Sequence, residues 1–197
     1  MLTGTTQVRS EGGFTLIELL VTVAVFGILA ALAAPMVGTW LKNGQIRTAA
    51  DSLLDGLQKA RNEAVRRNAP VAFVLGAGSS WEVRTAVDGT LVETHSSGEG
   101  SSQVVLTTIP NGTTTVTFNG MGRRWGDPVT GKNLDAAKSD PITRICVDLP
   151  PTVLAKADTR NLELDISLNG AVRMCDPEVG TATDARYCPG YPTECKD

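Results

Sequence analysis

Few side chains in this sequence are placed for chemistry. The single histidine, His95, lies in a Ser/Gly-rich stretch with no partner base or acid in a recognisable pattern, so a hydrolase triad cannot be assembled around it. Glu163 and Asp165 stand two apart and could pose as the paired acids of a glycosidase. Their segment alternates with Leu162, Leu164, Ile166 and Leu168, so the exposed polar face of a strand accounts for them. Cys146, Cys175, Cys188 and Cys195 all fall in the last third of the chain, form no CxxC pair and stand far from His95, which argues against a zinc site. Gathered at the C-terminus, they read instead as two disulfides made in an oxidising compartment. Three connectivities are open. The expected one is Cys175–Cys188, closing a short loop of turn-forming residues, with Cys146–Cys195 tying the tail to a strand. Neither a phosphate-binding loop nor a calcium loop is evident. The residues predict a protein that is not an enzyme, with no metal, cofactor or small-molecule substrate.

One acid has an unusual setting. Residues 1–13 are polar, whereas the chain from Phe14 to Met36 is almost wholly apolar apart from Glu18. The stretch from Phe14 to Pro35 would make about 33 Å of helix, enough for a bilayer core. A carboxylate at mid-bilayer costs about 2.5–3.5 kcal/mol, less toward an interface. Glu18 is therefore either solvated near the headgroups or kept for a function. A conventional secretory signal is cut after its apolar core. Here the plausible cut precedes the apolar run, so the helix would remain in the mature chain.

The elements that must position these residues follow from periodicity. Beyond residue 36, Ile46, Ala49, Ala50, Leu53, Leu54, Leu57, Ala60 and Ala64 recur at spacings of three and four, the buried stripe of an amphipathic helix. Pro70 predicts a stop near Asn68, and Gly38 and Gly44 are expected to loosen the helix earlier. Arg66 and Arg67 suit a helix C-terminus. The period then changes to two. Strands are predicted at 71–75, 81–87, 91–94, 104–109, 114–118, 142–149, 162–168 and 171–175, with hairpins at Asp88-Gly89 and Asn169-Gly170 and loops at 76–80, 96–102 and 126–140. The fold class is α+β: a long N-terminal helical spine, membrane-embedded in its first half, packed on a mostly antiparallel β-sheet head. The expected division is a leader at 1–13, a membrane helix at 14–36, an amphipathic half-helix at 37–69 and a β-rich head with a disulfide region at 70–197.

Charge adds a constraint. The net charge is only −3, but from Pro70 onward 11 Lys/Arg face 16 Asp/Glu. An acidic head argues against general nucleic-acid binding, although a local basic patch stays open. Positive-inside counting does not orient the helix; the predicted disulfides place the C-terminal part outside the cytoplasm.

The string GFTLIELLVTVAVFGILAALAAP resembles the class III signal of type IV pilins and pseudopilins. The resemblance implies that prepilin peptidase cuts between Gly13 and Phe14 and that the new N-terminus is methylated. Glu18 would match the family's glutamate, which pairs with the free amine of a neighbouring subunit during assembly. Gly27 and Pro35 fall where family members break or loosen the helix. Phe118-Asn119-Gly120-Met121-Gly122-Arg123 and the segment Asn169 to Cys175 resemble the C-terminal region of the GspH/FimT kind, FimU-like proteins included. That implies a minor pilin or pseudopilin which initiates or caps a type IV pilus or a type II secretion pseudopilus. Its partners would be prepilin peptidase and other pilin subunits. It would sit in the inner membrane, head in the periplasm, before joining the filament near its tip. Some FimT-like members bind DNA for natural transformation through a GRxR motif. Here the matching stretch is Gly170-Ala171-Val172-Arg173, so only Arg173 carries over. Arg123, Arg124 and Trp125 are candidate replacements, against a plainer reading of two arginines in a solvated turn with Trp125 capping the core.

Overall fold

The computed structural model describes residues 13–125 and 140–188, and its backbone but not its side chain at position 35. Twelve of the thirteen expected leader residues, most of the 126–140 loop and Cys195 lie outside the described residues. The chain forms two units, one ending at Gly38 and one beginning at Thr39.

Helix α1 runs from Leu16 to Arg67 without interruption. The expected loosening at Gly27, Pro35, Gly38 and Gly44 does not break it. A glycine costs a helix only about 1 kcal/mol, which its helical neighbours absorb. In the first unit Leu16–Ala34 has a mean hydropathy of 2.6, and none of it is buried within the chain.

In the second unit the predicted stripe faces inward. Ile46, Ala49, Ala50, Leu53, Leu57, Ala60 and Ala64 are fully buried, with Leu54 partly so. The helix stops as the sequence requires. Asn68 takes a left-handed φ of 48°. Its N–H donates to the Val65 carbonyl, and the Ala69 N–H donates to the Ala64 carbonyl, both at 3.2 Å. This double closure satisfies the last helical carbonyls, and asparagine tolerates the left-handed turn.

Eight strands follow: β1 Val71–Leu75, β2 Trp81–Thr85, β3 Leu91–His95, β4 Val105–Ile109, β5 Thr115–Phe118, β6 Arg144–Asp148, β7 Leu162–Ile166 and β8 Val172–Cys175. They make two four-stranded sheets, ordered β3-β2-β1-β5 and β4-β6-β7-β8, with every strand pair antiparallel. The partition into two sheets is not visible in the sequence, because alternation gives each strand its face and not its neighbour. Both expected hairpins form, with Gly89 and Gly170 at positive φ. Phe73 and Trp81 pack on the helix at Gly56, where an added Cβ would lie 2.8 Å from both rings. The Trp81 indole N–H donates to the Ser52 hydroxyl at 2.9 Å.

Candidate processing and assembly site

The helix start is built by local hydrogen bonds. Thr15 immediately precedes α1, and its hydroxyl oxygen accepts from the Glu18 N–H at 3.3 Å. In return the Glu18 carboxylate accepts from the Thr15 N–H at 3.3 Å and the Thr15 hydroxyl at 3.4 Å. This is a reciprocal capping box, the Thr-x-x-Glu pattern that satisfies otherwise orphaned donors at a helix N-terminus. The Thr-x-x-Glu spacing of Thr15-Leu16-Ile17-Glu18 is the sequence signal of this cap. Glu18 thus has a local duty besides any intermolecular one. Gly13 and Phe14 precede the cap, both exposed, so the backbone at the expected cut is uncovered in the chain.

The C-terminal disulfide pairs Cys175 with Cys188, as expected. Cys146 lies on β6 and is itself disulfide-bonded. Its expected partner, Cys195, lies outside the described residues. The Cys175–Cys188 bridge changes the reading of β7. Glu163, assigned above to an exposed polar face, is only 1 % exposed. It stands directly across from Cys175 in the ladder, and its carboxylate and both sulfurs lie within 4.8 Å of one another. The C-terminal segment covers the face that alternation alone assigns to solvent. Arg144 answers the buried charge, 3.4 Å from Glu163 and 3.6 Å from Asp165. A buried carboxylate needs such a partner. The trio of Glu163 and two sulfurs has metal-ligand chemistry only if the disulfide is reduced, since thiolates bind the ion.

The candidate nucleic-acid contacts separate. Arg124 is buried, and its guanidinium donates to the Ile142 and Ile166 carbonyls at 3.4 and 3.1 Å. Burial lowers its pKa. It therefore sits neither in a solvated turn nor within reach of a phosphate; it joins the β5 edge to the second sheet. The reason is the turn at Asn119, whose side chain accepts from the Met121 and Arg123 N–H groups, both at 3.0 Å, and folds the chain back beside Phe118. Arg123 and Trp125 point outward, with Trp125 42 % exposed. Gly170 meets this turn: a Cβ there would lie 1.9 Å from the Gly122 carbonyl, so only glycine fits. Arg173 is exposed on β8 and donates to the Tyr187 carbonyl.

At the end of α1, Arg66 and Arg67 both grip Glu63, at 2.6 and 2.8 Å. Hydrogen bonds from Arg66 and then Arg67 hold the Glu63 carboxyl at about 2.

The family profile of the type II transport protein GspH matches residues 49–170, and the prokaryotic N-terminal methylation motif matches residues 8–34. Two fimbrial proteins of Pseudomonas aeruginosa are each 29% identical over 145 residues, 73% of this chain and 90% of theirs. Two crystal structures of the type IV minor pilin FimU from the same species are similar at 15% and 18% identity. They cover 68% and 65% of this chain and 91% and 90% of theirs, with TM-scores of 0.46 and 0.45. The first match takes in the helical stripe from Ala49 onward, β1 to β7 and the turn that leads into β8; the second takes in most of the apolar run and its acid. The chain belongs to the GspH/FimT family of minor pilins and pseudopilins, subunits anchored by an N-terminal apolar helix that assemble with other pilins.

Proposed function

We propose that this chain is a minor subunit that initiates or caps a pilus-type filament, entering it from the inner membrane after cleavage between Gly13 and Phe14. One observation carries the proposal: the apolar half of α1 is wholly uncovered by the chain itself. Nineteen apolar-rich residues exposed to water would be a severe liability, so another apolar phase covers them. A bilayer does so before assembly and sister helices do so afterwards. Ala24, Gly27, Ala30 and Ala31 are small enough for close helix approach. The methylated amine of a neighbouring Phe14 then offers Glu18 a compensating charge, which reports register between subunits. The match to two fimbrial proteins over most of their length favours a pilus over a secretion pseudopilus.

The capping box gives a test that separates the two duties of Glu18. Glu18→Gln keeps an acceptor for the Thr15 N–H and removes the charge. Thr15→Val removes the cap hydroxyl and keeps the charge. Processing should be intact in both variants. Incorporation into filaments, measured by immunoblot of sheared filaments, should fall at least tenfold for Glu18→Gln and less than threefold for Thr15→Val. The reverse order would make Glu18 a cap and nothing more.

A second reading, contact with DNA, draws on Arg123 lying against the β7–β8 hairpin that carries Arg173. With Arg124 turned inward, this reading rests on those two charges and the Trp125 ring. If it holds, Arg123→Gln plus Arg173→Gln abolishes a salt-sensitive shift of double-stranded DNA. No shift by the unaltered protein at low salt would remove the reading.

A further inference from the structure

We infer that a groove in the unit from Thr39 onward holds the headgroup of an anionic phospholipid while the chain is still in the membrane. The inference rests on the proposed membrane-anchored state. The groove, about 600 Å³, lies between the first turns of the second unit's helix and the β7–β8 hairpin with the segment that follows it. Leu162 and Met174 give it an apolar floor, Trp40 a wall, and Arg47, Arg160 and Arg186 a basic rim.

Three observations choose the occupant. Charge is the first. The head carries more acids than bases, yet three arginines meet here. Two of them have nearby acids: Arg186 binds Asp184 at 2.9 Å, and Arg47 lies 3.6 Å from Asp51. Asp176 also lines the groove. Arg160 has no carboxylate partner among the described residues, so it is the cation left for a ligand. Placement is the second. Asn43 on α1 accepts from the Arg160 N–H at 2.8 Å and donates to the Asp158 carbonyl at 2.9 Å. The helix thereby fixes the backbone that carries Arg160, whose side chain is exposed at the groove. Sequence position is the third. Trp40 is 73 % exposed and stands six residues after Ala34, the last residue of the apolar window. Tryptophan favours the headgroup layer, where its ring is half-solvated. A planar guanidinium matches a phosphate diester with two parallel N–H donors, and the apolar floor suits the glycerol and first methylenes. Together these features fit a lipid phosphate at the membrane surface better than a dissolved one, which would have no use for Trp40, Leu162 or Met174.

The full-length chain in nanodiscs of equal phosphatidylglycerol and phosphatidylcholine tests this by native mass spectrometry of the lipids it retains. Unaltered protein should keep phosphatidylglycerol at least fivefold over phosphatidylcholine. Arg160→Gln should lower that ratio by about fivefold, the usual worth of one basic residue at an anionic surface. Arg160→Lys should fall between, having the charge without the fork. Arg84→Gln, on β2 of the other sheet and outside the groove, should leave the ratio unchanged. A ratio near one for unaltered protein, or an unchanged ratio for Arg160→Gln, overturns the inference while leaving the filament role standing. A ratio near one combined with lost filament incorporation in Arg160→Gln would assign the groove to a neighbouring subunit instead. A chain that does not insert into nanodiscs at all would overturn the membrane-anchored reading and this inference with it.

Discussion

Glu18 and Glu63 are both acids on α1, and their surroundings set them different tasks. Among the described residues Glu18 bonds to Thr15, through the reciprocal bonds of a cap. Capping tolerates glutamine, whereas pairing with an ammonium does not, which is why the charge-removing variant is the informative one. Glu63 has its counter-charges at hand in Arg66 and Arg67. Its carboxyl is held at about 2, below the usual 4.5, so the folded state favours the ionised form. Stability from this depressed group is present above about pH 4.5 and is lost as pH falls toward 2. Asp88, held at about 2 by hydrogen bonds from Thr85 and Thr90, and Asp184, held at about 2 by Arg186, act in the same direction. Asp88 is exposed and Asp184 half-buried, and although Glu63 keeps only 13 % of its side-chain surface its arginine partners are open to solvent, so each effect is modest. Urea midpoints measured from pH 6 to pH 2.5 should fall, and Glu63→Gln should flatten that decline. An unchanged slope in Glu63→Gln would assign the acid sensitivity elsewhere.

At the scale of elements, the helix and strands were legible because each has one dominant cause. Spacings of three and four place Ile46, Leu53 and Leu57 on one buried face. Asn68 before Pro70 gives both the left-handed turn and the stop. All eight strands form at the predicted positions: β1 has the predicted bounds, β3 runs one residue further, to His95, and the other six are trimmed at their ends. What the sequence hid depends on contacts between distant segments. The division into two sheets, the burial of Glu163 beneath the Cys175–Cys188 bridge and the inward turn of Arg124 are all of this kind. Local alternation assigns a polar residue to water unless something else arrives to cover it. At the site, Glu18 is legible as an unusual acid from the apolar run around it, and its cap from the Thr-x-x-Glu spacing. Gly56 is a further long-range case. Its spacing from Leu53 and Ala60 puts it on the buried stripe, but which side chains meet it there, the Phe73 and Trp81 rings, is set by the distant strands. Gly56→Ala should destabilise the head by about 1–3 kcal/mol through overpacking, despite alanine's better helix propensity. Gly44→Ala, with open space around it, should be neutral or stabilising. Equilibrium urea unfolding of the two variants decides this; equal effects would mean the helix–sheet contact at Gly56 is not tight.

At the scale of the whole molecule the chain has two units of opposite character. The unit from Thr39 onward has its own core, built from the helical stripe and the inner faces of two sheets. In the unit ending at Gly38 the span Leu16–Ala34 is apolar, and none of it is buried within the chain. A chain of this kind is complete only in company, first with lipid and then with other subunits, and the family's assembly behaviour follows from that physical need. The transfer between the two states depends on which residue leads the mature chain, because the amine proposed to face Glu18 exists at Phe14 only after the leader is gone. The most direct measurement is the intact mass of the chain purified from membranes of cells with active prepilin peptidase. The account predicts a chain beginning at Phe14 and carrying one added methyl group. A chain still beginning at Met1 would contradict it.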